Sequence, residues 1–204
     1  MYHDNIIIGA GQSGLAIAHY LNKDNLDFVI LEKESIASTW KKHYDSLKLI
    51  TPNPFISLSG KKFKSPNKFP SKSEVINYLT DYAKDFEEQI RLKTEVTKIT
   101  REDDNYILET SDGTYKCRNL IMASGYNGES FTPEMAKNLD KNVIQHHSSE
   151  YKSLDSFPDK KRNIAVVGSG NSGISIAQEL SFKHNVALFQ GKVKRFPRQL
   201  LGID

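Results

Sequence analysis

The apolar positions fall into short continuous runs, each followed by a segment of helical period. Asn5-Ile6-Ile7-Ile8 runs straight into Gly9, the pattern of a strand covered on both faces. Past Gly14, the small and apolar residues Leu15, Ala16, Ile17, Ala18 and Leu21 recur at helical spacing, which predicts a helix. A turn at Asp24-Asn25 leads to a second apolar run, Phe28-Val29-Ile30-Leu31, ending on Glu32. The same order returns later in the chain. Asn163-Ile164-Ala165-Val166-Val167 runs into Gly168, a helix-like segment follows Gly173, and Asn185 to Phe189 reads as the next strand.

Between the two copies the pattern changes three times. From Ser35 to about Ser71 the chain is rich in Pro, Ser, Asn and Lys, but Trp40, Tyr44, Leu47, Leu49, Phe55, Phe63 and Phe69 are interleaved. That density of large apolar groups predicts an ordered covering loop and not disorder. Ser71-Lys72-Ser73-Glu74 has the form of a helix start, and Val75, Ile76, Tyr78, Leu79, Tyr82, Ala83 and Phe86 carry the helix to about Glu88. Arg91 to Thr100, Tyr106 to Thr110 and Thr114 to Cys117, with the turn Ser111-Asp112-Gly113, predict a small inserted antiparallel sheet. Asn119 to Met122 then returns as a buried strand ending in Ala123-Ser124-Gly125, and polar residues 126–161 mark a boundary. The expected fold is α/β, with two Rossmann-like dinucleotide-binding domains in three layers. The first, residues 1–125, carries the covering loop and the β meander, and the second, residues 126–204, is incomplete.

Both copies hold three glycines in the pattern G-x-G-x-x-G. A pyrophosphate sits on the N-terminal end of a helix, where unpaired backbone N–H groups point outward. Gly9 suits the tight turn, Gly11 leaves room for phosphate against the backbone at Gln12 and Ser13, and Gly14 allows close helix packing. Glu32, eighteen residues past Gly14, stands where a carboxylate accepts from ribose hydroxyls, with Lys33 beside it. The second copy offers Gly168, Gly170, Asn171, Ser172 and Gly173. Aligning the two copies puts Gly191 opposite Glu32, followed by Lys192, Lys194, Arg195 and Arg198. A cationic cluster without a carboxylate favours a ribose 2′-phosphate, hence NADPH over NADH; the same residues also suit a solvated basic loop.

The 204 residues, 38% hydrophobic and 26% charged, are enough for one good core or two small ones. The net charge of +3 is mild and its lysines and arginines are spread, which argues against nucleic-acid binding. No apolar run reaches membrane-spanning length and the N-terminus enters a strand directly, so no membrane partner and a cytoplasmic location are expected. The single cysteine, Cys117, sits in a strand-like stretch as a small buried group and cannot form a redox pair. A thioredoxin-reductase-like disulfide reductase shares the two-domain plan but requires paired cysteines, so that reading is set aside.

Beyond the glycine motifs, Ser38-Thr39-Trp40, Tyr44 to Pro52, Phe69-Pro70-Ser71-Lys72-Ser73-Glu74-Val75, Tyr78-Leu79, Tyr82-Ala83 and Ala123-Ser124-Gly125 occur in fixed order. With them the whole chain resembles the single-component flavin-containing monooxygenases, in their bacterial branch. The resemblance implies FAD on the first motif and Glu32, Trp40 and the Tyr44 to Thr51 loop with Leu49 near the isoalloxazine, and Val96 at the adenine side through its backbone. Ala123-Ser124-Gly125 is similar to the family's A-T-G linker, and Asn53 lies one position away from its flavin-side asparagine. The family fingerprint F-x-G-x-x-x-H-x-x-x-W/Y is half present: His147 and Tyr151 match, while Lys141 and Val143 replace Phe and Gly. His147 is then either a positioning group for the nicotinamide domain or a surface residue beside His146. The implied activity is reduction of FAD by NADPH and oxygenation of a small organic substrate by dioxygen, through a C4a-hydroperoxyflavin. Relatives in that family continue past this point, so the chain reads as an N-terminal portion. The alternative is a nucleotide-binding remnant without turnover, for which a homo-oligomer is one way of covering what is missing.

Overall fold

The computed structural model describes residues 1–125, 130–157 and 160–191. Strand β1 (Tyr2–Ile8) leads into helix α1 (Gln12–Lys23) and strand β2 (Phe28–Glu32), and β1 and β2 pair in parallel with Ile8 opposite Leu31. The covering segment holds one short helix, α2 (Ser38–Lys42), and a 3-10 turn at Asn53–Phe55. Helix α3 (Lys72–Ala83) follows, then β3 (Ile90–Leu92), β4 (Val96–Glu102), β5 (Asn105–Thr110) and β6 (Gly113–Met122). Later, β7 (Asn163–Val167), α4 (Asn171–Leu180) and β8 (Asn185–Phe189) repeat the opening order.

The strands β1 to β6 form one mixed sheet in the order β3-β2-β1-β6-β5-β4. The inserted antiparallel meander is present as β4-β5-β6, and it continues the main sheet through β6. Arg91 and Leu92 pair in parallel with β2 in the main sheet, and the chain breaks away at Lys93, whose φ is +56°. Thr114 to Met122 is a single strand whose first half pairs antiparallel with β5 and whose second half pairs in parallel with β1. The polar Lys116, Arg118 and Asn119 resemble a strand end in sequence, but alternation lets a strand keep polar groups on one face. Helix α3 gives way after Ala83 to 3-10 turns over Lys84–Gln89, so the stretch reaches its expected end with a change of helix type. At Phe86 the backbone leaves helical angles (φ −146°, ψ 37°), burying that ring against Phe28 and Tyr82.

Successive residues of the central strands serve two cores. Ile7, Phe28 and Ile30 face α1 and α3, joining Leu15, Ala18, Val75, Leu79 and Tyr82, while Ile6, Val29 and Leu31 meet Leu108, Tyr115 and Cys117 on the other side. Burial on both faces explains why β1 and β2 read as continuous apolar runs. Each such side chain contributes about 1.5–3 kcal/mol by leaving water.

The covering segment is ordered, as its aromatics imply. The Tyr78 hydroxyl donates to the Lys61 carbonyl at 2.7 Å and accepts the Leu58 N–H at 2.7 Å, and the Tyr82 hydroxyl donates to Ser59. Its far end is tied to α3 through the capping box. The Ser71 Oγ accepts the Glu74 N–H, and the Glu74 carboxylate accepts the Ser71 N–H at 2.8 Å and the Asn67 amide at 3.2 Å. These bonds, with one from the Ser65 hydroxyl as the largest cause, hold the Glu74 carboxyl at about 2. A depressed acid favours the folded state above its unfolded value near 4.5, and the benefit is lost as pH falls toward 2. Glu74→Gln should therefore lower the melting temperature at pH 7, and the gap from wild type should close between about pH 4.5 and pH 2.

Candidate nucleotide-binding cleft

The chain turns at the carboxyl end of β1, between β2 and β6, where a doubly wound sheet leaves a crevice. Gly9 takes φ +107° there, its N–H donating to the Leu31 carbonyl at 2.8 Å. A side chain at Gly14 would meet the Gly9 carbonyl oxygen at 2.0 Å, so α1 lies directly against the turn. A Cβ at Gly11 would meet nothing within 4 Å. The motif thus combines a turn packed on its inner side with open space at its second glycine.

Glu32 closes the side of this turn. It is buried, and its two carboxylate oxygens are oriented by backbone donors: the Ala10 N–H reaches one at 2.8 Å and the Glu34 N–H the other at 2.8 Å, with the Ser38 hydroxyl at 3.4 Å. A carboxylate has about four acceptor positions, so capacity remains for a diol. Its own backbone carbonyl receives the Thr94 N–H, bringing residues 94–96 to the same edge.

The crevice has a volume of about 1250 Å³, and Gly9, Gly11, Gln12, Ser13, Glu32, Lys33, Trp40, Tyr44, Val96, Ala123, Ser124, Gly125, His147 and Ser172 line it. Most residues singled out from the sequence thus converge. Leu49 and Thr51 do not reach it. The Leu49 N–H pairs with the Pro70 carbonyl and the side chain packs on the helix-side core, while Thr51 is exposed. Asn53 is occupied within the loop, its amide donating to the Ser65 carbonyl at 2.7 Å. Lys192 and Arg195 lie outside the described residues. Lining residues that sequence reasoning passed over include Ser38, Thr39, Lys42, His43, Thr94, Ser148, Ser149 and Lys152. Ser38 and Thr39 belong to the Ser38-Thr39-Trp40 motif and Lys152 follows the fingerprint aromatic, which was the signal available for these three.

The second turn has the geometry of the first. Gly168 takes φ +109°, its N–H donates to the Phe189 carbonyl at 2.8 Å, and a Cβ at Gly173 would meet the Gly168 oxygen at 2.0 Å. Gly170, like Gly11, faces open space. Ser172 carries this turn into the common cleft, while Gly168, Gly170, Asn171 and Gly173 do not line it. The strand register corrects the alignment of the copies. Ile8 pairs with Leu31 and Val167 with Phe189, so the structural counterpart of Glu32 is Gln190 and not Gly191. The second connection is one residue shorter, and the position remains free of an acid.

His147 accepts the Ser149 N–H at Nδ1 (3.2 Å), so in its neutral form the proton sits on Nε2. His43 is half-buried with its ring edge-on to Trp40 at 6.0 Å. Burial, and then the ammonium groups of Lys152 and Lys72, hold its imidazole below the ordinary histidine range. Tyr151 is buried against Tyr44, and burial raises its phenol above the usual range.

A sheet with its glycine turn at the switch point, an oriented carboxylate at the end of the next strand and a repeated turn opening on the same cleft define a dinucleotide-binding α/β protein of the two-site kind. The sequence profile of the pyridine nucleotide-disulphide oxidoreductase family matches residues 6–198, and the chain belongs to that family. It is 41% identical over 202 residues to an uncharacterized CzcO-like oxidoreductase of Geobacillus kaustophilus, covering 98% of this chain and 58% of that protein. It is 36% identical over 215 residues to the probable indole-3-pyruvate monooxygenase YUCCA1 of Arabidopsis thaliana, covering all of this chain and 51% of that one. A flavin-containing monooxygenase from Stenotrophomonas maltophilia superposes with a TM-score of 0.83 at 29% identity, covering 93% and 58% of the two chains. The resemblance to flavin monooxygenases seen in the motifs is thus borne out. The chain spans about half the length of the curated relatives it matches. Despite the family's name, the one cysteine, Cys117, is buried and its thiol is pushed up to about 11 by burial. Among the described residues no helix is long and apolar enough to cross a membrane.

Proposed function

We propose that this chain is the nucleotide-binding part of an FAD-dependent, NADPH-using monooxygenase acting on a small organic substrate with dioxygen. Residues 1–125 form the FAD-binding part and residues 126–204 the NADPH-binding part. The observation that carries the reading is the one cleft on which the first glycine turn, the Glu32 carboxylate, Trp40 and Ser172 of a second turn of like geometry converge. Flavin and pyridine nucleotide chemistry among the proteins it resembles supports it.

The residues present fit an FAD. The empty space at Gly11 suits a pyrophosphate against the Gln12 and Ser13 backbone at the start of α1. Glu32 has acceptor capacity left for the ribose hydroxyls, and Val96 stands at the adenine end. Trp40, Tyr44 and the Ala123–Gly125 turn line the remaining length of the cleft, where they would flank the flavin ring. On the other side, Gly168, Gly170, Asn171, Ser172 and Gly173 hold the pyrophosphate of NADPH, and Lys192 and Arg195 its 2′-phosphate. When bound, FAD supplies acceptance of two electrons from NADPH and the activation of dioxygen. The protein's own contribution is orientation, and no acid–base dyad is required of it.

Glu32→Ala tests the assignment. It removes the acceptor of two backbone N–H groups and the ribose contact together, so flavin affinity should fall by about 1–3 kcal/mol and the flavin-free protein should itself lose stability. Unchanged flavin retention would remove Glu32 from the site. A second reading, a nucleotide-binding unit that does not turn over, draws on the bare outer face of β7 and β8, where Val167 is 78% and Phe189 56% exposed.

A further inference from the structure

The second glycine turn stands on a core that the first unit completes. Tyr44 and Leu47, from the covering segment, pack with Tyr151, Ile176 and Leu180, so the apolar cluster beneath α4 is closed by residues from the other side of the cleft. Tyr44 and Tyr151 are both buried, their rings 6.1 Å apart. Tyr44 also lines the cleft, as does Trp40. One side chain thus touches both the space assigned to the flavin and the seat of the second unit.

Polar bonds reinforce this contact. The Asp45 N–H donates to the Lys152 carbonyl at 2.8 Å, and the Lys152 ammonium donates to the Lys42 carbonyl. Lys72, at the start of α3, ties the same segment back to the first unit through the Asp45 carboxylate at 2.7 Å and the His43 carbonyl at 2.8 Å. One bond reaches α4 itself, from the Ser46 hydroxyl to the Glu179 carboxylate. After burial, the Glu179 charge is what opposes ionisation of Tyr151, which puts that carboxylate at the tyrosine contact.

Neither Ser46 nor Glu179 lines the cleft, but Ser172 does. Ser172 and Glu179 are seven residues apart on α4, close to two full turns, so they share a face and lie about 10.5 Å apart along the axis. A bond at Glu179 therefore fixes the rotation and the axial position of the helix whose first turn faces the nucleotide space.

We propose that Ser46 and Glu179 are a positioning pair that seats α4 against the flavin cleft, and that Tyr44 tightens this seating when the flavin is bound. This rests on the two-nucleotide reading of the cleft. Two sites are coupled through an element whose arrangement both of them bias, and residues 42–47 are that element.

The test titrates NADP+, which cannot reduce the flavin, into FAD-loaded and FAD-free protein by isothermal calorimetry. Wild type should bind NADP+ at least about fivefold more tightly when FAD is bound, and NADP+ should tighten FAD by the same factor, because coupling between sites is reciprocal. Ser46→Ala and Glu179→Ala should each bring that ratio to about one, and the double variant should go no further. Glu179→Gln keeps an acceptor for the Ser46 hydroxyl and should restore the ratio. Equal loss of NADP+ affinity with and without FAD would make the pair a structural contact only, and would overturn the proposal. So would a wild-type ratio of one, or a ratio that survives Glu179→Ala; both nucleotides still bind in those cases, and the two-nucleotide reading stands. A wild type that binds FAD but not NADP+, or neither, would sink that reading and leave the pair nothing to position.

Discussion

Gly11→Ala should lose the flavin and keep the fold. A methyl group there meets nothing within 4 Å, and the backbone at φ −88°, ψ −172° is open to any residue. The apoprotein should melt within about 1 kcal/mol of wild type, the loss being that of the poorer N-cap. The methyl would stand in the space assigned to the pyrophosphate, displacing charged oxygens from the α1 backbone donors. Such bonds contribute about 1.5–3 kcal/mol each, so flavin affinity should drop at least tenfold. Isothermal titration with FAD, beside a thermal melt of the apoprotein, separates the two effects. Equal affinity would mean that the open space is not the phosphate site.

Gly14→Ala should do the opposite and damage the fold first. Its Cβ would lie 2.0 Å from the Gly9 oxygen and 3.3 Å from the Ile7 methyl, both on the packed side of the turn. Neither can move without shifting α1 off β1, which would open the core around Leu15 and Ala18. Overpacking of this kind costs about 3 kcal/mol or more, which for a chain of this size lowers the melting temperature by ~6–12 °C. Flavin loss would follow from the displaced turn. A melt close to that of Gly11→Ala would contradict the close helix contact. The paired variants thus assign the two glycines different work, one making room for a ligand and the other for a helix.

Much of this site was legible in the sequence because its causes are local. Gly9, Gly11, Gly14 and Glu32 are fixed by a turn and the strands on either side, and the same spacing brought Gly168, Gly170 and Ser172 into an equivalent turn. The aromatics of residues 35–71 forecast an ordered cover, since only packing retains so many large rings. What escaped depends on distant partners. Nothing in Thr114 to Met122 says that one strand serves two neighbours in opposite senses, and the pairing is decided by β1 and β5. The shift from Gly191 to Gln190 follows from a connection one residue shorter, which an alignment without a gap cannot detect. Lys152 and His43 met only when the 42–45 segment and the second unit came together.

The measurement that bears most directly on a working flavin site is the aerobic visible absorption spectrum of the purified protein, before and after NADPH. The account predicts a flavin spectrum that bleaches on addition and recovers as oxygen is consumed. A colourless protein, even after incubation with FAD, or a yellow one indifferent to NADPH, would contradict it.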